Sequence, residues 1–464
     1  MKRIKYYLSA VVLGAMTFYS CSDSAYDINV DPNNPSPNMV VDTLVMPAAL
    51  AQNAYVLGGY YQHLGGYWSQ QYAQAPAASQ WGDLETYNLT NSDYDRQFNT
   101  MYNGCLIDYQ FIREQAASKS NWTFYAIATL MQAYSFQVLA DLYDQIPFRE
   151  ALKGNAILQP HYDGGALIYD SLLLRIDDAV SKDFAAKTNL KPANNDLIFK
   201  GDMATWVKFA NTLKLKIYLR YVNVDATKYA TQIQALLAED NFLSTDAAFS
   251  AFSSGINKSN PFYNTFLDRL SGNVVLNNTL GDTLKALNDP RLATMFKVSE
   301  TGFTYNGMTT GTSLTATGTY KNYATPAIGE TYPVFFFTAE ESYFLQAEAE
   351  ARYGSALKAQ TLYENGIKKS LTRYGLATTS FTYPYDGVKS IIEQKWVASV
   401  NKTSIEAYFD LNRTGYPSFL RQSPTSVLLP GERPLRLFFP QTEKRTNANT
   451  PSQVPLTTKV WWGK

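Results

Sequence analysis

The chain has 464 residues, enough for two or three domains or for one large helical array. Its 40 basic and 40 acidic side chains balance, so no overall field recommends a nucleic acid as partner, and charged residues reach only 17%, below the roughly 25% of ordinary soluble domains. The 34 Tyr, 25 Phe and 7 Trp supply stacking surface for a core or a ligand, while two cysteines are too few for a disulfide framework.

Lys2, Arg3 and Lys5 precede an apolar run from Tyr6 to Phe18, the pattern of a secretory signal over residues 1–20. That run is short for a membrane span. It ends on Ser20-Cys21, a small residue before a cysteine, which resembles a bacterial lipobox and makes Cys21 the expected lipidation site. The Pro- and Asn-rich residues 21–41 read as an extended tether behind that anchor, and 42–464 as the folded body.

Helical patterning begins near Asp42 and runs to about Gln74, with Tyr60, Tyr61, Leu64, Tyr67, Trp68 and Tyr72 on overlapping stripes. A loop from Ala75 to Asp93 holds Trp81-Gly82-Asp83 and Tyr87-Asn88, and a helix is expected from Tyr94 to Ala117. The segment Trp122 to Tyr143 is apolar on most sides and should be deeply buried. His161-Tyr162-Asp163-Gly164 is read as opening the next helix. Asp202 is the expected N-cap of another, in which Trp206, Phe209, Leu213 and Ile217 form one stripe.

From about 242 to 333 Gly, Ser, Thr and Asn dominate, which predicts an irregular, loop-rich lobe with a short helix near Thr279 to Leu287. A helical hairpin follows. Thr338 is its N-cap, with Glu340 and Glu341 in the first turn, and Phe344, Ala347 and Ala351 share a face. Gly354 is expected to end the helix at positive φ. Tyr343, Ala347, Ala359, Tyr363 and Gly366 fit the large and small positions of the tetratricopeptide repeat of about 34 residues, in which small residues let two helices approach. A third helix holds Glu393-Gln394-Lys395-Trp396. Arg433 to Pro440 reads as extended, ahead of a tail closing on Trp461-Trp462.

Several of these pieces together resemble the SusD/RagB family, and within it the SusD-like outer-membrane lipoproteins. The carrying residues are Asp27 to Asn33, Ala140-Asp141-Leu142-Tyr143-Asp144-Gln145-Ile146-Pro147, Gly201-Asp202 with Trp206 and Phe209-Ala210-Asn211, and Leu213 to Arg220. They continue with Asp289-Pro290-Arg291-Leu292, Thr338-Ala339-Glu340, Ala347-Glu348-Ala349, Gln394-Lys395-Trp396 and Arg413-Thr414-Gly415-Tyr416-Pro417. The resemblance implies a mainly α fold on a tetratricopeptide-like scaffold with a loop-rich lobe. It implies a lipid anchor at the outer-membrane surface and a SusC-like TonB-dependent transporter as partner. Most relatives take oligosaccharides and some take peptides.

Catalytic motifs are weak. His63 and His161 have no Cys, His or Glu at ligand spacing, so neither a metal nor another cofactor is expected. The pairs Asp177-Asp178 and Glu340-Glu341 are adjacent on helices, where side chains diverge by about 100°, unlike the facing carboxylates of a glycosidase. An enzyme is therefore not expected. Binding by stacking remains, with sugar C–H faces on aromatic rings and polar side chains on hydroxyls. Trp81, Asp83, Tyr87 and Asn88 in one loop, and Phe262, Tyr263, Tyr320 and Tyr323 in the loop-rich lobe, are the candidate ligand residues; for each, local packing is the competing explanation. Peptide capture and a pure helical scaffold remain as alternatives to glycan capture.

Overall fold

The computed structural model describes residues 42–464 apart from Ala77 and Ile256. The signal, Cys21, the tether and the Asp27 to Asn33 segment lie outside the described residues. The fold is mainly α, as expected, with tetratricopeptide-like hairpins and a loop-rich lobe.

Helix α1 (Asp42–Val56) passes through a π turn at Leu57–Tyr61 into α2 (Gln62–Trp68). The helix expected as far as Gln74 stops there, and Tyr72–Gln74 instead forms strand β1. Glycine explains the packing: a Cβ on Gly65 would lie 2.3 Å from the Ile405 backbone nitrogen, so only glycine admits that approach. Short helix α3 (Gly82–Thr86) occupies part of the expected loop. Then come α4 (Asp95–Thr100), a second π turn at Met101–Leu106, and α5 (Ile107–Ser118).

Helix α6 (Trp122–Tyr143) is buried throughout except at Trp122 and Tyr125, as its all-round apolar pattern requires. It is sandwiched between α5 and α7 (Gly165–Val180). His161 does not open α7: β2 (Gln145–Pro147) pairs antiparallel with β3 (Tyr162–Gly164), and the Asp163 carboxylate accepts from the Arg149 backbone N–H at 2.8 Å. Asp202 caps α8 (Met203–Arg220) by accepting from the Ala204 and Thr205 amides. Trp206, Phe209, Leu213 and Ile217 are fully buried, and the Trp206 indole donates to Asp196 at 2.8 Å. Helix α9 (Ala230–Glu239) leads into the lobe.

The lobe carries β4 (Ala247–Phe249), a third π turn at Tyr263–Arg269, β5 (Val274–Leu276), α10 (Asn278–Ala286), α11 (Leu292–Met295), β6 (Phe296–Lys297) and β7 (Thr325–Pro326). Its strands make small antiparallel pairs, β1 with β5, β6 with β7, and β4 with β8 (Val334–Phe337). Arg291 locks the lobe to the repeats, pairing with Asp289 at 2.6 Å and donating to Gln394 at 2.7 Å.

Helices α12 (Ala339–Tyr353) and α13 (Ala356–Arg373) form the hairpin, capped by Thr338 and Ser355. Phe344, Ala347, Tyr363 and Ile367 share one apolar cluster, and a Cβ on Gly366 would come within 2.7 Å of the Phe344 ring. Gly354 departs from expectation, with a negative φ of −133°. Its role is space, since a Cβ would meet the Glu350 carboxylate. Helices α14 (Gly387–Ala398), α15 (Ser404–Thr414) and α16 (Gln441–Thr446) complete the body.

Buried charges register these helices. Lys216 on α8 pairs with Glu406 on α15 at 2.8 Å; Arg220 reaches Asp141 on α6 and Glu406, both at 3.0 Å. Lys395 on α14 meets Asp410 at 2.9 Å, and Arg413 grips Glu348 on α12 through both guanidinium nitrogens. Burial alone would raise the Glu348 pKa, but Arg413 and Arg352 hold it down at about 2. Such pairs stabilise little net of desolvation, yet leaving one partner alone costs about 3–5 kcal/mol, so they select one alignment of the helices. Trp462 joins this network by donating to Asp141 at 2.7 Å, which ties the C-terminal tail to the core.

Candidate functional site

Of the candidate residues, Tyr320 and Tyr323 lie over the β1–β5 pair, Trp81 is tied to Gln74 on β1, and Phe262 and Tyr263 stand at the start of the Tyr263–Arg269 π turn. The Trp81 backbone amide donates to the Gln74 side chain at 2.9 Å, and Gln74 in turn donates to the Asn273 carbonyl at 3.1 Å. Half-buried Trp81 thereby sits where its ring meets His63 edge-on at 4.4 Å and Phe266 at 5.4 Å. Tyr320 and Tyr323 lie over the same sheet, half-buried against Ala73, Ala75, Val275 and Met308. Gly272 is glycine here for two reasons: φ is +79°, and a Cβ would strike the Tyr320 ring.

Tyr263 is half-exposed and lines a cleft of about 590 Å³ with Asn264, Asp268, Arg269 and Glu330. Asp83 and Asn88 are exposed on α3 and its exit, where the Asn88 amide donates to the Asp83 carboxylate at 3.2 Å. They are open to solvent but also satisfy each other.

Two candidates point elsewhere. Phe262 is 1% exposed, with its ring 5.1 Å from Phe266 and 5.4 Å from Tyr72, so it is a core residue and not a ligand contact. Tyr87, in the left-handed conformation after α3, is buried. It faces a small cavity of about 140 Å³ with Trp68, Tyr408 and Arg433, which no other candidate lines. Loop composition could not distinguish these from Tyr263, because only the three-dimensional turn decides which side of the chain faces inward.

His63, expected to play an ordinary polar or interhelical role, is fully buried among rings, and neither of its nitrogens has a hydrogen-bond partner among the described residues. Burial pushes its pKa down to about 3, so it is neutral at ordinary pH. Buried Glu85, which the sequence left unremarked, holds the site together. Its carboxylate accepts from the Gln74 amide at 2.8 Å and the Gly311 amide at 2.9 Å, joining α3, β1 and the lobe, while burial pushes its pKa up to about 7.

A second cleft, of about 540 Å³, adjoins the first and was also missed. Tyr55, Tyr60, Arg96, Asn264, Thr265 and Arg269 line it. Tyr60 and Tyr61 lie on overlapping helical stripes, but the π turn carries Tyr60 half out to solvent while Tyr61 stays in the core. Gly58-Gly59 was the available signal. Among the described residues no group of three or more His, Cys, Asp or Glu could hold a metal ion.

Helical hairpins packed through small residues and buried rings define a helical scaffold of the tetratricopeptide-like kind. A model of the SusD-like family, described as starch-binding and associating with the outer membrane, matches residues 44–440, and the chain belongs to this family of binding proteins rather than enzymes. No curated protein matches. The fold is shared with a SusD homolog from Bacteroides uniformis ATCC 8492 at 22% identity and TM-score 0.76, covering 90% of this chain and 99% of that one. It is likewise shared with a chitin-binding SusD homolog from Flavobacterium johnsoniae, at 21% identity and TM-score 0.76, covering 90% and 98%. A SusD/RagB family protein from Bacteroides thetaiotaomicron VPI-5482 is similar at 18% identity and TM-score 0.75, covering 92% and 100%.

Proposed function

We propose that this protein is a cell-surface lipoprotein, anchored through Cys21, that captures nutrient oligosaccharides and passes them to a SusC-like TonB-dependent transporter. The observation that carries the reading is the open cleft that Tyr263 lines, together with the half-buried rings of Trp81, Tyr320 and Tyr323 elsewhere on the lobe and the β1–β5 pair. Aromatic edges and amide side chains there suit the C–H faces and hydroxyls of sugar rings. The starch-binding description of the family and the chitin-binding relative support glycan as the ligand class. Asp83 and Asn88, both exposed, could exchange their mutual hydrogen bond for one to a sugar hydroxyl.

Titration calorimetry with starch-, chitin- and peptide-derived oligomers tests the ligand class, and binding of peptides alone would replace glycan with peptide. Fatty-acid labelling of the parent and of Cys21→Ala tests the anchor. Co-purification of a TonB-dependent transporter with the native protein tests the partner, and its consistent absence favours a scaffold.

A further inference from the structure

The cleft of about 540 Å³ lies between two π turns, Leu57–Tyr61 supplying Tyr60 and Tyr263–Arg269 supplying Asn264, Thr265 and Arg269. Single π turns inside helices recur at functional sites, where the extra residue re-aims side chains. Here the edge of the Tyr60 ring contacts Phe266 at 5.3 Å, so the two turns are braced against each other. Arg96 and Arg269 stand on the cleft walls, exposed, and among the described residues no ion pair or hydrogen bond engages either guanidinium. No carboxylate of the described residues lines this cleft. Asp95 accepts from Thr442 and Asn99, and Asp93 from Thr90, while Asp268 and Glu330 line the neighbouring cleft, which Arg269 also borders. Burial shifts the Tyr60 phenol upward, and the charges of Arg96 and Arg269 both oppose that shift.

We propose that this cleft takes an acidic unit of the captured glycan, a sugar bearing a carboxylate or a sulfate ester, with the oxyanion on Arg96 and Arg269 and the ring against Tyr60 and Tyr55. This rests on the glycan-capture reading and adds a substrate class to it. Guanidinium groups match planar oxyanions through paired N–H donors, and two of them held in no ion pair favour an anionic ligand over a neutral one. The Asn264 and Thr265 side chains remain to bind hydroxyls. The volume falls within the range of small-ligand sites.

Calorimetry on the mature protein would compare tetragalacturonate, its methyl ester, a sulfated disaccharide and neutral maltotetraose and chitotetraose. The acid is expected to bind at least about tenfold more tightly than its ester, with affinity falling as salt rises. Preference for the carboxylate or for the sulfate identifies the source of the oxyanion. Arg96→Gln with Arg269→Gln should abolish the preference for charge while the melting temperature stays unchanged, both side chains being exposed. Equal binding of acid and ester, tighter binding of the neutral oligomers, or a preference that survives the double substitution overturns the inference while glycan capture stands. Failure of every saccharide to bind overturns both.

Discussion

The imidazole of His63 lies flat on the ring of Phe266, centroids 4.1 Å apart and planes 10° apart, with the Trp81 indole edge-on against both. Helix α2, α3 and the lobe therefore meet through a stack of rings in which a histidine serves as an aromatic. Its two nitrogens have no partners among the described residues, and an unsatisfied buried polar group opposes folding. Replacing it with an apolar ring of similar shape removes that penalty. His63→Phe should keep or raise the melting temperature. It should also reduce acid sensitivity. The folded pKa is depressed from 6.5 to about 3, so the group's contribution is fully present above 6.5 and is lost as pH falls towards 3. Thermal melts at about pH 7 and about pH 4 check this, and a variant as acid-sensitive as the parent would mean His63 is charged in the fold.

Trp81 carries structure as well as any ligand. Stripped of the ring, His63 and Phe266 lose a neighbour, so Trp81→Ala should lower stability by about 1–3 kcal/mol. Loop context alone would put the change below about 1 kcal/mol, the level of an ordinary surface substitution. Tyr263 is the cleaner probe, being half-exposed on the cleft. Tyr263→Ala should weaken glycan binding by about 1–3 kcal/mol with little change in melting. Trp206→Ala, deep on α8, should do the opposite, costing about 3–5 kcal/mol of stability with ligand affinity unchanged in the folded fraction. Calorimetry beside thermal melts separates the three, and a Tyr263 variant that binds every oligomer as the parent does would place the ligand elsewhere.

How much of this was legible in the sequence follows from the range of the forces involved. Helix α6 was visible end to end because its apolar residues are local and uninterrupted, and Asp202 and Thr338 because a cap acts within three residues. Strands β1 and β3 were not, since three residues carry no periodicity of their own and exist through partners elsewhere in the chain, β5 and β2. Glu340 and Glu341 do stand in the first turn of α12, but they are buried. Glu340 holds Arg373 at 2.6 Å, and Glu341 faces Lys216 and Lys395 at 3.8 and 3.9 Å. The site was legible as two regions and not as two sides. Tyr263 and Phe262 are neighbours of similar composition, and the turn sends one to the cleft and the other to the core.

The hairpin contact is testable at its smallest residues. Gly366→Ala gains about 0.5–1 kcal/mol of helix propensity. Its Cβ, however, would sit 2.7 Å from a Phe344 ring that is itself fully buried and cannot turn away. The steric term should win. Ala359→Leu, on the same helix and fully buried, should overpack by about 1–3 kcal/mol. Urea titrations would show both midpoints lowered, and an unmoved midpoint in both would mean that α12 and α13 do not meet through this face.

Glu85 should make the stability of the site depend on pH near neutrality. Its folded pKa is raised from 4.5 to about 7, burial being the largest cause and the Gln74 and Gly311 amides opposing it. A raised folded pKa means that the native state binds the proton more tightly than the unfolded chain does. The stabilisation is therefore complete below 4.5 and is lost as pH rises through 7, an effect of up to about 3 kcal/mol at 1.36 kcal/mol per unit. Ionised Glu85 still holds the two amides, so α3 stays docked while the balance weakens. Glu341 also titrates upward, again chiefly through burial, so the parent's pH profile alone is not diagnostic. The comparison is with Glu85→Gln, which cannot ionise and presents only one carbonyl oxygen to two N–H donors. At low pH the variant should be less stable than the parent, and the gap should narrow as pH rises through 7. Hydrogen exchange at the Gln74 and Gly311 amides localises the effect. A gap that stays constant across this range would mean that Glu85 keeps one protonation state throughout.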